Sequence, residues 1–298
     1  MKELVIASGK GGTGKTTVAS SLAYLLNSRR KLIAVDADVD APDLLLALGG
    51  GELLEERAIE ASEKARVDSE LCDGCGACVN ACPYGAMVVE GGKAKVYTYL
   101  CEGCGVCTLV CPKGAVKVEP YVTGMLTAQR TKHGFTVITG RLKAGEHNSG
   151  KLVSAAKEMA RKRAEAEGAE LVIVDAAPGI GCPVIASLSG ASYVVAVAEP
   201  TPTSRRNLMR LVEVARHFNT PVGLVLNKAD LSGEYARQME EWALLELKIP
   251  LLAELPVDYE AVRALAEMKT PVELNPKSKI SYALTLLADR VEEELARL

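Results

Sequence analysis

A glycine-rich loop near the start of the chain is the feature that most constrains its fold. Residues Gly9–Thr16 read Gly-Lys-Gly-Gly-Thr-Gly-Lys-Thr and fit the phosphate-binding pattern G-x-x-x-x-G-K-[ST]. This phosphate loop follows an apolar run, Leu4–Ala7, and precedes a helical pattern from Lys15 to Ser28. In that setting backbone N–H groups and the helix N-terminus point at a nucleotide's phosphates. The loop therefore predicts an α/β sheet with a nucleotide site beside its first strand.

Apolar runs and helical patterns alternate along most of the chain, which predicts a doubly wound, mostly parallel α/β sheet. The predicted strands are Leu4–Ala7, Leu32–Val35, Phe135–Ile138, Leu171–Val174, Tyr193–Ala198, Val222–Leu226 and Leu251–Leu255. The predicted helices are Lys15–Ser28, Gly150–Glu167, Ser204–His217, Tyr235–Leu247, Glu260–Lys269 and Ile280–Leu298. The last helix has an acidic polar face, which anionic lipid repels, so we expect it to pack on the core.

Two cysteine runs interrupt this alternation. Each reads C-x2-C-x2-C-x3-C-P, and the segments Cys72–Glu90 and Cys101–Glu119 are identical at eleven of nineteen positions. Such an internal repeat indicates two half-units, each too small to bury its own apolar face and stabilised by metal. We predict an inserted domain over residues 63–120 and a discontinuous P-loop ATPase domain over residues 1–62 and 121–298.

The cysteine spacing resembles that of bacterial ferredoxins with two [4Fe-4S] clusters, in which the fourth cysteine of each run ligates the other cluster. The predicted ligands of the first cluster are Cys72, Cys75, Cys78 and Cys111. The predicted ligands of the second cluster are Cys82, Cys101, Cys104 and Cys107. Zinc is the alternative metal, although structural zinc takes separated C-x2-C pairs. The clusters either relay electrons or only hold the insert folded.

The phosphate loop also resembles the deviant form, K-G-G-x-G-K-[ST], of the MinD/ParA/Mrp and nitrogenase iron-protein superfamily. The resemblance covers nearly the whole chain outside the predicted insert. It implies an ATPase that works as a homodimer, with the nucleotide sandwiched between subunits. Lys10 then reaches the phosphates bound by the partner subunit, whereas the alternative is a solvated loop lysine.

Two further motifs carry the same resemblance. Asp-Ala-Asp-Val-Asp-Ala-Pro after the second predicted strand resembles the first switch, which implies that Asp38 positions the attacking water and Asp36 supports Mg²⁺. Asp-Ala-Ala-Pro-Gly after the Leu171–Val174 strand resembles the second switch. Asp175 is then expected to hold a Mg²⁺-bound water and the Gly179 N–H to sense the γ-phosphate.

The phosphate-loop motif itself places Lys15 at the β- and γ-phosphates and Thr16 on Mg²⁺. We therefore predict Mg²⁺ binding by Thr16, Asp36 and Asp175. The predicted catalytic residues are Lys10, Lys15 and Asp38. The predicted nucleotide-binding residues are Gly11, Gly12, Thr13, Gly14, Lys15, Thr16, Thr17, Gly179, Asn227 and Pro256.

The base of the nucleotide is predicted to lie against the carboxyl end of the Val222–Leu226 strand. Asn227 resembles the adenine-contacting asparagine of the superfamily, but Asp230 completes an N-K-x-D pattern that GTPases use for guanine. ATP is favoured because relatives with the Lys10 signature are ATPases, and GTP stays open. Pro256 packs on the base or belongs to a turn at a strand end.

The ninth cysteine, Cys182, lies outside both runs. In nitrogenase-type iron proteins a cysteine just after the second switch ligates a cluster shared across the dimer, so the resemblance implies an interface thiol. The second interface cysteine of those proteins has no counterpart here. The alternative is a small buried apolar side chain.

The formal net charge of -3 and the absence of a signal peptide or a long apolar span favour a cytoplasmic protein without membrane or nucleic-acid partners. Three functions fit the motifs. The first couples ATP to electron transfer or to cluster and metallocofactor handling with a partner protein whose identity is open. The second is a carrier with a labile cluster at the dimer interface. The third is a MinD/ParA-like spatial organiser with structural clusters.

Overall fold

A computed structural model describes residues 1–298 and contains eleven strands and eleven helices. The strands are β1 Lys2–Ser8, β2 Leu32–Ala37, β3 Gly51–Val67, β4 Met87–Glu90, β5 Lys93–Val96, β6 Val116–Thr131, β7 Thr136–Leu142, β8 Leu171–Pro178, β9 Tyr193–Ala198, β10 Val222–Asn227 and β11 Leu251–Leu255. The helices are α1 Lys15–Asn27, α2 Leu44–Ala47, α3 Ala77–Ala81, α4 Val106–Val110, α5 Ser149–Glu167, α6 Cys182–Leu188, α7 Pro202–His217, α8 Gly233–Leu245, α9 Tyr259–Ala266, α10 Pro271–Leu274 and α11 Lys279–Ala296. The predicted strands and helices are all present, each within a few residues of its predicted bounds.

Nine strands form one sheet in the order β11-β10-β9-β1-β8-β2-β7-β6-β3. The pairs from β11 to β7 are parallel, as the buried apolar runs predict. A short turn joins β6 to β7, where the Thr131 N–H donates to the Phe135 carbonyl at 3.0 Å, so β6 runs antiparallel to β7. The mostly parallel α/β fold is therefore confirmed, and β3 and β6 are long strands that the sequence patterns did not predict.

Helices cover both faces of the parallel strands. Helices α1 and α11 pack together on one face, and α5, α6 and α7 pack on the other. The buried core contains apolar residues of β1, β2, β8 and β9 together with α1 and α11. In α11 the apolar positions Leu284, Leu287 and Val291 are fully buried, so the expected packing of this helix on the core is confirmed. None of the helices combines the length and apolar content needed to cross a bilayer.

The chain divides into two compact units. The larger unit contains Met1–Arg57, Leu126–Arg141 and Ser149–Leu298, and what we call the cysteine unit contains Ala58–Met125 and Leu142–Asn148. Within the cysteine unit, α3 and α4 pack together and β4 pairs with β5 as an antiparallel hairpin. Its small apolar core includes side chains of six cysteines. The assignment of residues 63–120 as a ferredoxin insert stays a prediction.

Candidate functional site

The polar residues of the predicted nucleotide site lie where the parallel strands end. Strand β1 lies between β8 and β9, and its carboxyl end leads into the phosphate loop. In open α/β sheets a ligand binds in the crevice outside the carboxyl ends of strands at such a point. Asp36 and Asp175 lie at the carboxyl ends of two strands and are paired in register, so the topology brings both carboxylates to this crevice.

A buried network joins the phosphate loop to β8. The Lys15 ammonium lies 2.6 Å from Asp175 Oδ1, and the Thr16 hydroxyl donates to Asp175 Oδ2 at 2.7 Å. The Lys15 and Asp175 side chains are 7% and 1% exposed. Three residues predicted to hold phosphate and Mg²⁺ are thus in direct contact. A buried ion pair that loses one partner leaves an uncompensated charge, which makes this network sensitive to substitution.

The two aspartates of the first predicted switch differ in burial. Asp36 is fully buried and accepts hydrogen bonds from the backbone N–H groups of Leu44 at 2.8 Å and Asp38 at 3.1 Å. Burial, and then the charge of nearby Asp175, raise the pKa of Asp36 to about 8. Asp38 is half-buried, and burial raises its pKa above the usual value although Lys15 opposes this shift. Two buried carboxyl groups as close as Asp36 and Asp175 favour a bound cation or a retained proton.

Lys10 is held by a residue that the sequence patterns did not single out. Its ammonium lies 2.5 Å from Glu199 Oε2, and the Lys228 ammonium lies 2.6 Å from Glu199 Oε1. Lys228 also donates to the Gly12 carbonyl at 3.2 Å. Burial acts to raise the pKa of Glu199, but the two ammonium groups hold it below the usual value. Lys10 is therefore ion-paired within its own chain, unlike a free loop lysine.

The predicted base site is connected to the phosphate loop by a hydrogen bond. Asn227 donates to the Thr13 carbonyl at 2.7 Å, so this side chain supports the loop. Asp230 accepts the backbone N–H of Val257 at 2.8 Å and thereby holds the segment that contains Pro256. Asp230 therefore has a structural partner, which an N-K-x-D guanine site does not require. Half-buried Pro256 and exposed Val257 lie beside it at the end of β11.

The second predicted switch begins at the end of β8. The Gly179 N–H donates to the Ser8 carbonyl at 2.9 Å, so contact with a γ-phosphate requires this bond to break. Cys182 begins α6 and is exposed, so the alternative of a buried core thiol is wrong. An added Cβ on Gly150, at the start of α5, would lie 3.2 Å from the Cys182 backbone oxygen. Cys182 thus lies beside α5 and near the second switch.

The donors present fit a nucleotide with Mg²⁺. The Thr13 hydroxyl is buried in the phosphate loop and has no hydrogen-bond partner, which is the condition of a group that awaits a ligand. Added Cβ atoms on Gly11 and Gly12 would meet nothing within 4 Å, so the loop leaves open space at its backbone. Hydroxyl and carboxylate oxygens are the ligands that Mg²⁺ takes in phosphate sites.

In the cysteine unit, the first predicted thiol set is partly assembled. Burial raises the pKa of the Cys78 thiol, and the neighbouring thiols that raise it further are Cys72 and Cys111. Cys111 therefore lies near the other run, as the crossed ligand pattern requires. The Ala94 N–H donates to Cys72 Sγ at 3.3 Å. Cys75 is exposed.

The second predicted thiol set is gathered around one cavity. Burial raises the pKa of the Cys107 thiol. The thiols that raise it further are those of Cys101, Cys104 and Cys82. These four cysteines line a small apolar pocket together with Tyr84, Ala86 and Met87. Backbone N–H groups face the sulfurs here as well, because Ala65 donates to Cys101 Sγ at 3.3 Å.

The two halves of the cysteine unit repeat the same close backbone approach. Gly74 and Gly103 have φ of +75° and +65°, and an added Cβ would lie 2.2 Å from the carbonyl oxygens of Gly92 and Glu63, respectively. Only glycine fits such a position. Each cysteine loop is therefore in close contact with a neighbouring backbone segment, and residues beside these contacts donate their N–H groups to sulfur, as Ala94 does to Cys72 and Ala65 does to Cys101. Backbone N–H groups near cysteine sulfur are a feature of iron–sulfur sites.

The structure gathers no three His, Cys, Asp or Glu side chains at the spacing of ligands around a single metal ion. Zinc and iron–sulfur clusters therefore both stay predictions for the cysteine unit.

The larger unit thus combines a phosphate loop at a strand crossover with buried carboxylates on neighbouring strands, which defines a P-loop nucleotide-binding fold. The family model of the CobQ/CobB/MinD/ParA nucleotide binding domain matches residues 4–272. The chain belongs to this family. The resemblance carried by Lys10 and the switch motifs is therefore confirmed at the level of the P-loop ATPase family.

Individual relatives agree with this assignment. The chain is 30% identical to the uncharacterized protein MJ0578 of Methanocaldococcus jannaschii over 292 residues, which cover 98% of this chain and 96% of that protein. The cell division ATPase MinD of Pyrococcus furiosus superposes with a TM-score of 0.60 at 20% identity, covering 98% of each chain. The septum site-determining protein MinD of Pyrococcus horikoshii, solved with Mg-ADP, gives 0.59 at 20% identity and covers 99% of this chain and 97% of its own. These structures share the fold.

Proposed function

We propose that this chain is a Mg-ATP-dependent switch ATPase that closes as a homodimer around its nucleotides. The contact of Lys15 and Thr16 with opposite oxygens of Asp175 carries the proposal. It unites the residue types that phosphoryl transfer requires, a lysine for the phosphates, a hydroxyl for Mg²⁺ and a carboxylate for its bound water. Family membership and the Mg-ADP bound by a MinD of the same fold support ATP and Mg²⁺ as ligands.

Nucleotide binding on this proposal exchanges partners within the buried network. Lys15 would leave Asp175 for the phosphates, and Asp175 and Thr16 would hold Mg²⁺, which would supply charge neutralisation there. Asp36, whose pKa burial raises, would give up its proton to solvent and support the cation as a carboxylate. Asp38, half-buried beside Lys15, orients the attacking water. Gly179 gives up its bond to Ser8 and thereby couples the second switch to the γ-phosphate.

We further propose that the cysteine unit carries two [4Fe-4S] clusters. The first set is Cys72, Cys75, Cys78 and Cys111, and the second set is Cys82, Cys101, Cys104 and Cys107. The crossed grouping of the sulfurs supports this proposal, since the thiols that raise the pKa of Cys78 and of Cys107 all belong to the same predicted set as the thiol they affect. The clusters supply one-electron chemistry or folding energy when bound. The division of residues 63–120 from the ATPase domain belongs to the same proposal.

Beyond hydrolysis, positioning of another molecule by the nucleotide-dependent dimer is better supported than redox coupling. The structural neighbours include several MinD proteins and a ParA family ATPase of Chlorobium tepidum. Electron transfer to an unidentified partner, or cluster delivery through exposed Cys182, is the second candidate. The two crossed thiol sets favour that candidate, because structural support alone does not need two clusters.

One anaerobic preparation tests these proposals separately. ATP and GTP hydrolysis with and without Mg²⁺, and light scattering of the eluting protein with a slowly hydrolysed ATP analogue, test the dimeric switch. Lys15→Ala should abolish both readouts. Iron and sulfide analysis with electron paramagnetic resonance tests the clusters. A chain that hydrolyses ATP but binds no iron refutes the clusters alone, whereas unchanged resonance on adding Mg-ATP refutes their coupling to nucleotide.

A further inference from the structure

A single carboxylate holds two lysines at the mouth of the phosphate loop. Glu199 lies directly after β9, and its two oxygens contact the ammonium groups of Lys10 and Lys228 at 2.5 and 2.6 Å. The Glu199 side chain is 11% exposed, whereas Lys10 and Lys228 are 30% and 37% exposed. The acid is therefore enclosed and the two bases reach it from the surface.

A carboxylate at this place repels a bound phosphate, so its presence needs an explanation. Like charges within a few ångströms repel, and the crevice is the site of a polyanion. With both lysines attached, the group carries a net charge of about +1, so phosphate is still attracted. If Lys10 leaves, Lys228 stays bound to Glu199 and to the Gly12 carbonyl, and the remaining pair is neutral. Lys10 can therefore leave without exposing Glu199 as an unpaired buried acid, because Lys228 stays in contact with it.

The acid itself is fixed. Its backbone N–H donates to the Ser204 hydroxyl at 2.9 Å, and its carbonyl accepts the Thr201 N–H at 2.8 Å. Lys10, by contrast, lies on a glycine-rich loop, with its carbonyl held by the Ser8 hydroxyl at 2.9 Å and its side chain partly in solvent. Any exchange of partners must therefore move the lysine and leave Glu199 in place.

We propose that Glu199 is a positioning residue that retains Lys10 on its own subunit until the nucleotide-dependent dimer forms. The inference rests on the proposed nucleotide-dependent homodimer and on the expectation, carried by the family resemblance, that Lys10 reaches the partner subunit's phosphates. Glu199 then sets a threshold for dimer formation, since each protomer must break one Lys10–Glu199 ion pair. Lys228 holds the phosphate loop through Gly12 in both states.

The retention itself is tested on the nucleotide-free chain. Brief competitive acetylation followed by mass spectrometry measures how readily each lysine amine reacts. Glu199→Gln should increase the labelling of Lys10 severalfold, because the freed amine loses its ion pair. The matched control, Glu267→Gln, removes the partner of exposed Lys269 and should leave Lys10 unchanged. Equal Lys10 labelling in wild type and Glu199→Gln refutes the retention, whatever the oligomeric state.

The threshold is tested by sedimentation with Mg²⁺ and a slowly hydrolysed ATP analogue. A partly exposed ion pair changes an equilibrium by up to about fivefold, and the dimer breaks two, so Glu199→Gln should tighten dimerisation by up to about twenty-five-fold. In a Lys10→Ala background the same substitution should have no such effect. Weaker or unchanged dimerisation overturns the proposal. Absence of a wild-type dimer instead refutes the dimeric switch, and the labelling result still stands.

Discussion

The retained proton on Asp36 predicts an unusual dependence of stability on pH. Its pKa of about 8 in the folded chain lies far above the value of 3.8 for a solvated aspartate. Between these values the folded chain binds a proton that the unfolded chain has released. Stability therefore falls as pH rises through this range, by at most about 1.4 kcal/mol per pH unit. Above about pH 8 both states are ionised and this contribution is constant.

Asp36→Asn removes this titration and keeps the shape of the side chain. Asparagine has one acceptor oxygen for the two N–H groups of Asp38 and Leu44, so at about pH 5 the variant should be less stable by ~1–2 kcal/mol. Because wild type loses stability toward about pH 8 and the variant does not, the two stabilities should converge or cross. The difference between the two chains removes the contributions of titrating groups that do not interact with Asp36.

The assay is urea unfolding without nucleotide and with a chelator, since Mg²⁺ favours the ionised form of Asp36. The only tryptophan, Trp242, lies in α8 and stacks with Arg205 at 4.5 Å, so its fluorescence reports the larger unit. Midpoints are compared from about pH 5 to about pH 8.5. If the urea midpoints of wild type and Asp36→Asn change with pH in the same way across this range, Asp36 is ionised in the folded chain and the reasoning fails.

Three further substitutions test other parts of the site. Asp230→Ala should lower nucleotide affinity severalfold, because its carboxylate holds the backbone N–H of Val257. The preference between ATP and GTP in competition binding should not change. A switch of preference would mean that Asp230 reads the base. Cys104→Ser should lower the bound iron to about half in anaerobic preparations while Cys182→Ser leaves it unchanged, and equal iron in both variants contradicts the second thiol set. Gly103→Ala should make the cysteine unit more susceptible to proteolysis than Gly114→Ala, since both have positive φ but only the former meets a backbone oxygen; equal susceptibility shows that the close approach is not required.

The sequence patterns predicted the parallel strands well because these strands are buried on both faces. Such strands are nearly continuous apolar runs, and β9 and β10 are buried at all positions. Strand β3 lies at the end of the sheet and its first eight residues are exposed. Five of the seventeen residues of β3 are glutamate, which is how an edge strand avoids pairing with other chains and also why it lacks a strand pattern.

The repeat in the cysteine unit extends further than the cysteine runs indicate. Ala65 and Ala94 are twenty-nine positions apart, and each donates its N–H to the first cysteine of one run. Lys64 and Lys93 precede them at the same offset. The signal was present in the sequence, but short matches without cysteine carry little weight until a shared contact is known. The contact that explains them is the approach of a strand backbone to each cysteine loop.

Glu199 could not be identified from motifs because its role depends on the order of strands. It comes directly after a buried strand, whereas Asp36, Asp175 and Asn227 lie within theirs, and that position alone does not say which residues it meets. Strand β9 lies next to β1 on one side and β10 on the other, so its carboxyl end faces both the phosphate loop and Lys228. A charged residue just after a buried parallel strand therefore becomes interpretable once the neighbours of that strand are known. Here those neighbours turn an unremarkable glutamate into the partner of the lysine on which the proposed dimer depends.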